Sequence, residues 1–227
     1  MQEAMIKRAK ELLADGTVAR VIGWKRGEFA YDITPAVFES AEELEKDFVF
    51  DDFTAANVSK YLVKESAKEG KVLVFLKPCD TYSLNQLTKE HRVNRDNIFV
   101  IGIPGGPKLD IEKIKAKGIT GILSVKNDNY TLKIETLYGE ETMPFSEAIL
   151  DKCASCKSKK HVTYDELMGE EGDVLDSNRF DMVEQLENMT AEERHNFWRE
   201  QLSKCIRCNA CRNVCPACTC EKCVFDN

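Results

Sequence analysis

The chain has 227 residues, 43% of them hydrophobic and 31% charged, with a net charge of −7. That is globular composition with room for one sizeable domain and an appendage. The acidic surplus speaks against nucleic-acid binding, which needs a basic face to displace counterions, and no stretch approaches the roughly 18 apolar residues of a membrane helix. The opening residues Met1 to Arg8 lack the apolar stretch and cleavage site of a signal peptide, so a cytoplasmic protein is expected.

In chain order, residues 2–15 place Met5, Ala9, Leu12 and Leu13 on one helical face, with Gly16 as the stop. Val18 to Trp24 reads as a strand, and Phe29 to Ile33 as its hairpin partner across Arg26-Gly27. The spacing of Ala55, Val58, Tyr61, Leu62 and Ala67 predicts a helix over 54–69 that ends at Gly70. Lys71 to Lys77 is an almost continuous apolar run of the kind found in buried parallel strands, and Asn97 to Ile103 is another. The amphipathic stretch from Asp80 to about His91 joins them as a βαβ unit. A helix over 109–117 follows, then a hairpin of 119–125 with 130–137 across Asn127-Asp128-Asn129.

From Pro144 the texture changes to short helical pieces, acidic stretches and few strand signals. Thr190-Ala191-Glu192-Glu193 is a capping box, so a helix should run past Phe197 and Trp198, read as its core face, to Leu202. The expected fold is α/β: an open mixed-sheet domain over residues 1–150, a helical linker over 151–203 and a small ferredoxin-like, cysteine-rich tail over 204–227.

Ten cysteines in a chain without an export signal point to metal ligation before disulfides, and seven of them lie between Cys205 and Cys223. Cys205, Cys208, Cys211 and Cys215, followed by Pro216, have the C-x2-C-x2-C-x3-C-P spacing of bacterial-type ferredoxins. The two-residue gaps let the backbone curl round one cubane, and in two-cluster ferredoxins the fourth cysteine serves the other cluster. A zinc site would need only four of these thiols. Cys218, Cys220 and Cys223 extend the run without completing a second motif, and read as further ligands or as spare thiols.

A dispersed group comprises Cys79, at the end of a predicted strand, and the Cys153-Ala-Ser-Cys156 pair. The carboxyl end of a parallel strand, where a helix begins, is where open α/β sheets place ligands, and the helix N-terminus favours an anionic cluster. Three readings stay open for this group: a cluster, zinc, and thiol chemistry or packing.

Together, Lys77-Pro78-Cys79-Asp80, the strand leading to Ile101-Gly102-Ile103-Pro104, Lys152 to Lys157 and the terminal run resemble the coenzyme F-420 hydrogenase/dehydrogenase beta-subunit family. The resemblance implies an iron–sulfur electron-transfer subunit with one or two [4Fe–4S] clusters held by the ten cysteines, and FAD as a further cofactor. It also implies redox partner subunits of formate dehydrogenase, hydrogenase or heterodisulfide reductase type. Family members often carry another cysteine after the second strand, where this chain reads Gly102-Ile-Pro-Gly-Gly-Pro107. The alternatives are a flavin-dependent oxidoreductase reducing a deazaflavin or nicotinamide, with the clusters as internal wire, and a zinc-stabilised interaction module.

Residues 102–107 lack the order of a phosphate loop and read as a tight turn. Lys157 to His161 reads as a solvated cationic face, although beside a cluster or phosphates it could serve an anion. No Ser/His/Asp set and no carboxylate pair in a credible pocket marks a free-standing catalyst.

Overall fold

The structure is a computed structural model that describes residues 1–173, 178–220 and 223. The remaining positions of the expected 204–227 tail lie outside the described residues. The chain forms an open, mixed five-stranded sheet flanked by helices, a separate three-stranded meander and a cysteine-rich C-terminal region.

Helix α1 (Gln2–Ala14) buries Met5, Ala9 and Leu12, the stripe that its apolar periodicity marks. Strand β1 (Arg20–Arg26) pairs antiparallel with β2 (Ile33–Phe38). The hairpin partner therefore lies beyond the expected 29–33. Gly27 N–H donates to Asp32 O and Asp32 N–H to Phe29 O, so 27–32 is a closed loop; a Cβ on Gly27 would sit 2.0 Å from the Asp32 carboxylate. Pro35 is accommodated because β2 is an edge strand, where a missing N–H disrupts no second ladder. A short helix α2 (Ala41–Asp47), capped by Ser40 Oγ, was not expected from the sequence.

The expected helix over 54–69 shrinks to a 3-10 turn at Ser59–Tyr61 and one turn of helix, α3 (Leu62–Glu65). Asp51 Oδ1 accepts from Phe53 N–H and Asn57 Oδ1 from Ser59 N–H, local bonds that offer the backbone an alternative to the helix. Beneath this segment Arg20 and Glu65 pair at 2.9 Å with side chains only 6% and 11% exposed.

Strand β3 (Val72–Leu76) is buried at every position and pairs parallel with β1 and with β4 (Ile98–Gly102). Helix α4 (Pro78–Lys89) joins β3 to β4, as the βαβ reading requires. After α5 (Ile111–Ala116), strands β5 (Ile122–Asp128), β6 (Thr131–Thr136) and β7 (Gly139–Pro144) form the meander. Its third strand was not expected. A second hydrophobic cluster, including Leu109, Ile114, Leu132, Ile134 and Phe145, packs beneath it.

The segment read as a strand-poor linker contains α6 (Asp151–Ala154) and returns to the main sheet as β8 (Glu166–Leu167), parallel to β4. Arg8 of α1 reinforces this return through a bidentate pair with Glu166 at 2.9 and 2.5 Å. Beyond it lie α7 (Asp181–Asn188), α8 (Ala191–Gln201) and α9 (Ala210–Val214). The capping box at Thr190 and Glu193 forms as expected, yet α8 buries no residue, and Trp198 is 48% exposed instead of serving as core.

Candidate metal centres and the clefts beside them

The dispersed site is built at the carboxyl ends of β3 and β4. Lys77 follows β3, and Pro78 is pre-set for the first turn of α4, so Cys79 stands at a helix N-terminus. Asp80 fixes that turn: its Oδ2 accepts the Lys77 backbone N–H at 3.3 Å and pairs with Lys77 Nζ at 2.8 Å. Gly105 allows the loop after β4 to lie on Pro78, where a Cβ would approach to 2.8 Å. Residues 103–107 carry no turn or helix; the chain passes through them in irregular conformation, in place of the expected tight turn.

His161 was placed on a solvated face by its cationic neighbours, but its side chain is only 1% exposed. Nε2 lies 3.1 Å from both Leu76 O and Ile103 O, and Nδ1 lies 3.1 Å from Glu171 Oε1. All three partners are acceptors, so the ring sits among oxygens on both of its nitrogen sides. The His161 backbone N–H, which donates to Glu171 Oε1 at 2.7 Å, and then the His161 ring hold the Glu171 carboxyl below its ordinary range. One residue on, Val162 N–H donates to the buried Thr81 hydroxyl at 3.2 Å, and that hydroxyl donates to Pro78 O at 2.7 Å. The chain after Cys156 is thereby tied to the first turn of α4, close to Cys79.

Cys79 reaches solvent over part of its surface while the surrounding protein crowds its sulfur. Burial first, then Asp80, push its thiol up to about 12; Lys77 opposes them, while Cys156 and Cys153 add to the rise. Cys153 and Cys156 are thus each within electrostatic reach of Cys79. A reactive redox cysteine has a lowered pKa, so this environment disfavours thiolate chemistry by Cys79 alone. A bound metal reverses that balance, because coordination deprotonates the thiol.

Two buried lysines beside this group gave no signal in the sequence. Lys77 Nζ lies 4.7 Å from the Trp24 ring centre and donates to Ala56 O at 3.2 Å. Lys108 Nζ lies 4.4 Å from the Phe50 ring centre and donates to Asp51 O at 2.8 Å. Burial, with Lys77 next, lowers the Lys108 ammonium to about 8, and Cys153 is among the groups that oppose the fall.

In the terminal run, Arg207 and Asn209 adopt left-handed backbone conformations at φ 57° and 61°. They curl the chain between Cys205, Cys208 and Cys211, and Arg207 N–H donates to Cys205 Sγ at 3.4 Å. All three cysteines are exposed. Cys215 and Pro216 instead line a cleft of about 550 Å³ with Tyr31, Phe53, Leu150 and Lys152. Cys218, Cys220 and Cys223 line a different cavity, of about 790 Å³. The ten cysteines therefore fall into distinct places on the molecule.

Among the described residues, no three His, Cys, Asp or Glu side chains are arranged to hold a single metal ion. A cubane asks for something different, one thiolate at each of four separate irons. The donor set fits that group in its chemistry: soft thiolates at ferredoxin spacing on left-handed turns, with a backbone N–H directed at sulfur. No helix among the described residues is long and apolar enough to cross a membrane.

No family model matches the chain. Its sequence is 26% identical to the F420-dependent formate dehydrogenase 1 subunit beta of Methanococcus maripaludis, over 95% of this chain and 72% of that protein. It is 24% identical to the F420-dependent formate dehydrogenase subunit beta of Methanocaldococcus jannaschii, over 96% of this chain and 72% of the relative. In fold it is similar to a chain in a xenon-derivatised structure of the F420-reducing [NiFe] hydrogenase complex from Methanosarcina barkeri. That match has a TM-score of 0.52 and 13% identity, and covers 68% of this chain and 58% of that one, under two thirds of its length. Along almost its whole length the chain is thus similar to beta subunits of F420-dependent formate dehydrogenases, and its fold is similar to that of a chain in the F420-reducing hydrogenase complex.

Proposed function

We propose that this chain is a cytoplasmic iron–sulfur electron-transfer subunit of an anaerobic oxidoreductase complex. It relays electrons between a catalytic dehydrogenase or hydrogenase subunit and a flavin-containing or heterodisulfide-reductase-type partner. The observation that carries the reading is the curl of Cys205, Cys208 and Cys211 on left-handed turns, with a backbone N–H on Cys205 Sγ. Its relatives, beta subunits of formate dehydrogenases, support a place in a complex.

In this reading Cys205, Cys208 and Cys211 hold one [4Fe–4S] cluster with a fourth cysteine of the tail, and Cys79, Cys153 and Cys156 contribute to another. A bound cluster supplies a one-electron relay. The chain's own residues supply the thiolates, hold the two cysteine-bearing segments of the α/β region together through His161 and Thr81, and place Lys77 and Lys108 near the anionic group. Replacing Cys208 with Ala in anaerobically purified protein should lower iron and acid-labile sulfide and remove a paramagnetic signal on reduction. Unchanged iron and an unchanged spectrum would sink the reading.

A second reading, an enzyme that reduces a deazaflavin or nicotinamide with FAD bound, is favoured by the cleft of about 550 Å³ between Tyr31, Phe53 and Cys215. Flavin absorption in the purified chain, with turnover in isolation, would select it.

A further inference from the structure

One face of this acidic chain is cationic. Lys60, Lys64 and Lys68 recur every four residues through the 3-10 turn, α3 and the bend after it, a spacing that sets side chains on one side of helical backbone. Lys60 Nζ donates to Arg212 O at 2.8 Å, and Arg92 Nη2, just past the end of α4, donates to Thr219 O at 2.5 Å. These bonds lay the tail across the face. The cavity of about 790 Å³ between them is lined by Lys60, Lys64, Arg92 and Arg212, by Tyr61 and by the tail's Cys218.

Charge separates this face from the rest of a chain with 39 acidic and 32 basic residues. Glu65 is the one acid among the described lining residues, and its carboxylate is engaged by Arg20 at 2.9 Å and Lys68 at 2.7 Å. Two observations set the kind of anion that matches it. The cations come from three separate segments, and Lys60 and Arg92 each direct a hydrogen at a tail carbonyl, so they spread a positive field over a surface instead of converging on one phosphate-sized point. Tyr61 and Val37 stand among them, 45% and 39% exposed, an apolar centre inside a charged rim as protein interfaces have.

We propose that this face is the docking surface for an acidic redox protein, a small electron carrier whose carboxylates meet Lys60, Lys64 and Lys68 and whose surface covers Tyr61. The proposal rests on the electron-transfer reading and deepens it by naming the chemistry of a partner and the face that receives it. A protein seated here touches the tail directly. The acidic remainder of the chain repels an acidic carrier, so the cationic face selects the orientation as well as the encounter. Electrostatic steering over a small contact raises the association rate and leaves release fast, which suits a carrier that must come and go.

The test uses the full chain, purified anaerobically, and two probes: a purified acidic bacterial ferredoxin and a Glu- and Asp-rich peptide with a central Phe. Every variant is checked for folding by circular dichroism and for iron. At low ionic strength Lys60→Glu/Lys64→Glu should associate with both probes about tenfold more slowly than the wild type, with the gap closing as salt is raised. Lys64→Glu alone, which leaves the bond from Lys60 to Arg212 O in place, should show part of that effect. Tyr61→Ala should speed dissociation at every salt concentration. Lys7→Glu/Lys126→Glu changes the net charge equally at exposed lysines elsewhere and should stay within about twofold of the wild type. The proposal is overturned if the two double variants slow equally, if neither probe binds, or if millimolar inorganic phosphate displaces the peptide, which would mark a small-anion site. It is equally overturned if the same lysines drive self-association of the chain or bind a single-stranded oligonucleotide more tightly than the ferredoxin. Iron separates the two readings: an iron-replete chain that binds neither probe loses the docking surface alone, whereas a chain without iron and sulfide that binds both through these lysines keeps the surface and loses the iron–sulfur reading.

Discussion

Replacing His161 with Leu keeps an apolar bulk of similar size and removes every hydrogen bond of the ring. The Ile103 carbonyl, in a residue with no exposed surface, then loses its 3.1 Å donor, while Leu76 O keeps the Ile103 N–H at 2.9 Å. One buried acceptor left unsatisfied costs about 1–3 kcal/mol, and the exposed Glu171 side adds nothing that water cannot replace. The apoprotein should therefore lose about 1–3 kcal/mol in urea unfolding with an unchanged denaturant slope. In the loaded protein, iron assigned to Cys79, Cys153 and Cys156 should fall as well, because the imidazole ties the chain after Cys156 to the ends of β3 and β4. A loss below about 0.5 kcal/mol, the range of an inconsequential surface change, would refute the clasp.

Cys79→Ala should lower the metal content and the melting temperature together, since metal bound only by the folded chain is folding free energy; about 2 kcal/mol would move the midpoint by roughly 4–8 °C. Full iron with unchanged melting would remove Cys79 from the site. Lys108→Met tests the buried ammonium by pH. With its pKa lowered to about 8 from 10.5, the unfolded chain binds more protons between these values, so wild-type apoprotein should gain stability relative to the variant as pH rises through that window. The full gain is about 3 kcal/mol, and a flat difference between the two proteins would refute it. The raised Cys79 thiol acts in the opposite sense above pH 9 but is present in both proteins and cancels. Arg20→Met should cost about 3 kcal/mol in urea unfolding, because it strands a carboxylate that is 11% exposed and leaves it only Lys68; a cost under about 1 kcal/mol would show that water reaches the pair.

The parts of the fold that could be read from the sequence are those in which one physical signal dominates. Val72–Leu76 and Ile98–Gly102 are continuous apolar runs and became central parallel strands, and the Thr190/Glu193 capping box started α8 where expected. Competing local chemistry hid the rest. The helical period over 54–69 lost to side-chain bonds from Asp51 and Asn57, and β2 was displaced by the closed loop at Gly27–Asp32. The two-residue β8 is too short for periodicity to register. The spacing of Cys205, Cys208 and Cys211 and the position of Cys79 after β3 were local signals. His161, Lys77 and Lys108 were not, because their burial depends on chain segments that meet only in the folded molecule.

The terminal region poses an energetic question that the α/β part does not. Helices α7 and α8 have 8 and 11 residues and bury none, and helices of that length are marginal in water without tertiary packing. Apolar side chains remain at the surface along them and beyond, from Phe180 and Met182 to Trp198, Leu202 and Ile206, the last 84% exposed. Among the described residues, the tail is hydrogen-bonded to Lys60, Arg92 and Glu90 of the α/β region. On the proposed reading the missing free energy comes from two sources: metal–thiolate bonds, which are folding free energy for a small cysteine-rich unit, and burial of those apolar faces against a partner subunit. An electron relay needs both at one place, since a cluster can pass electrons only where another cofactor comes close. The cysteines and the uncovered apolar residues share the same stretch of chain, and the demands of stability and of electron transfer would then be met by one docking event.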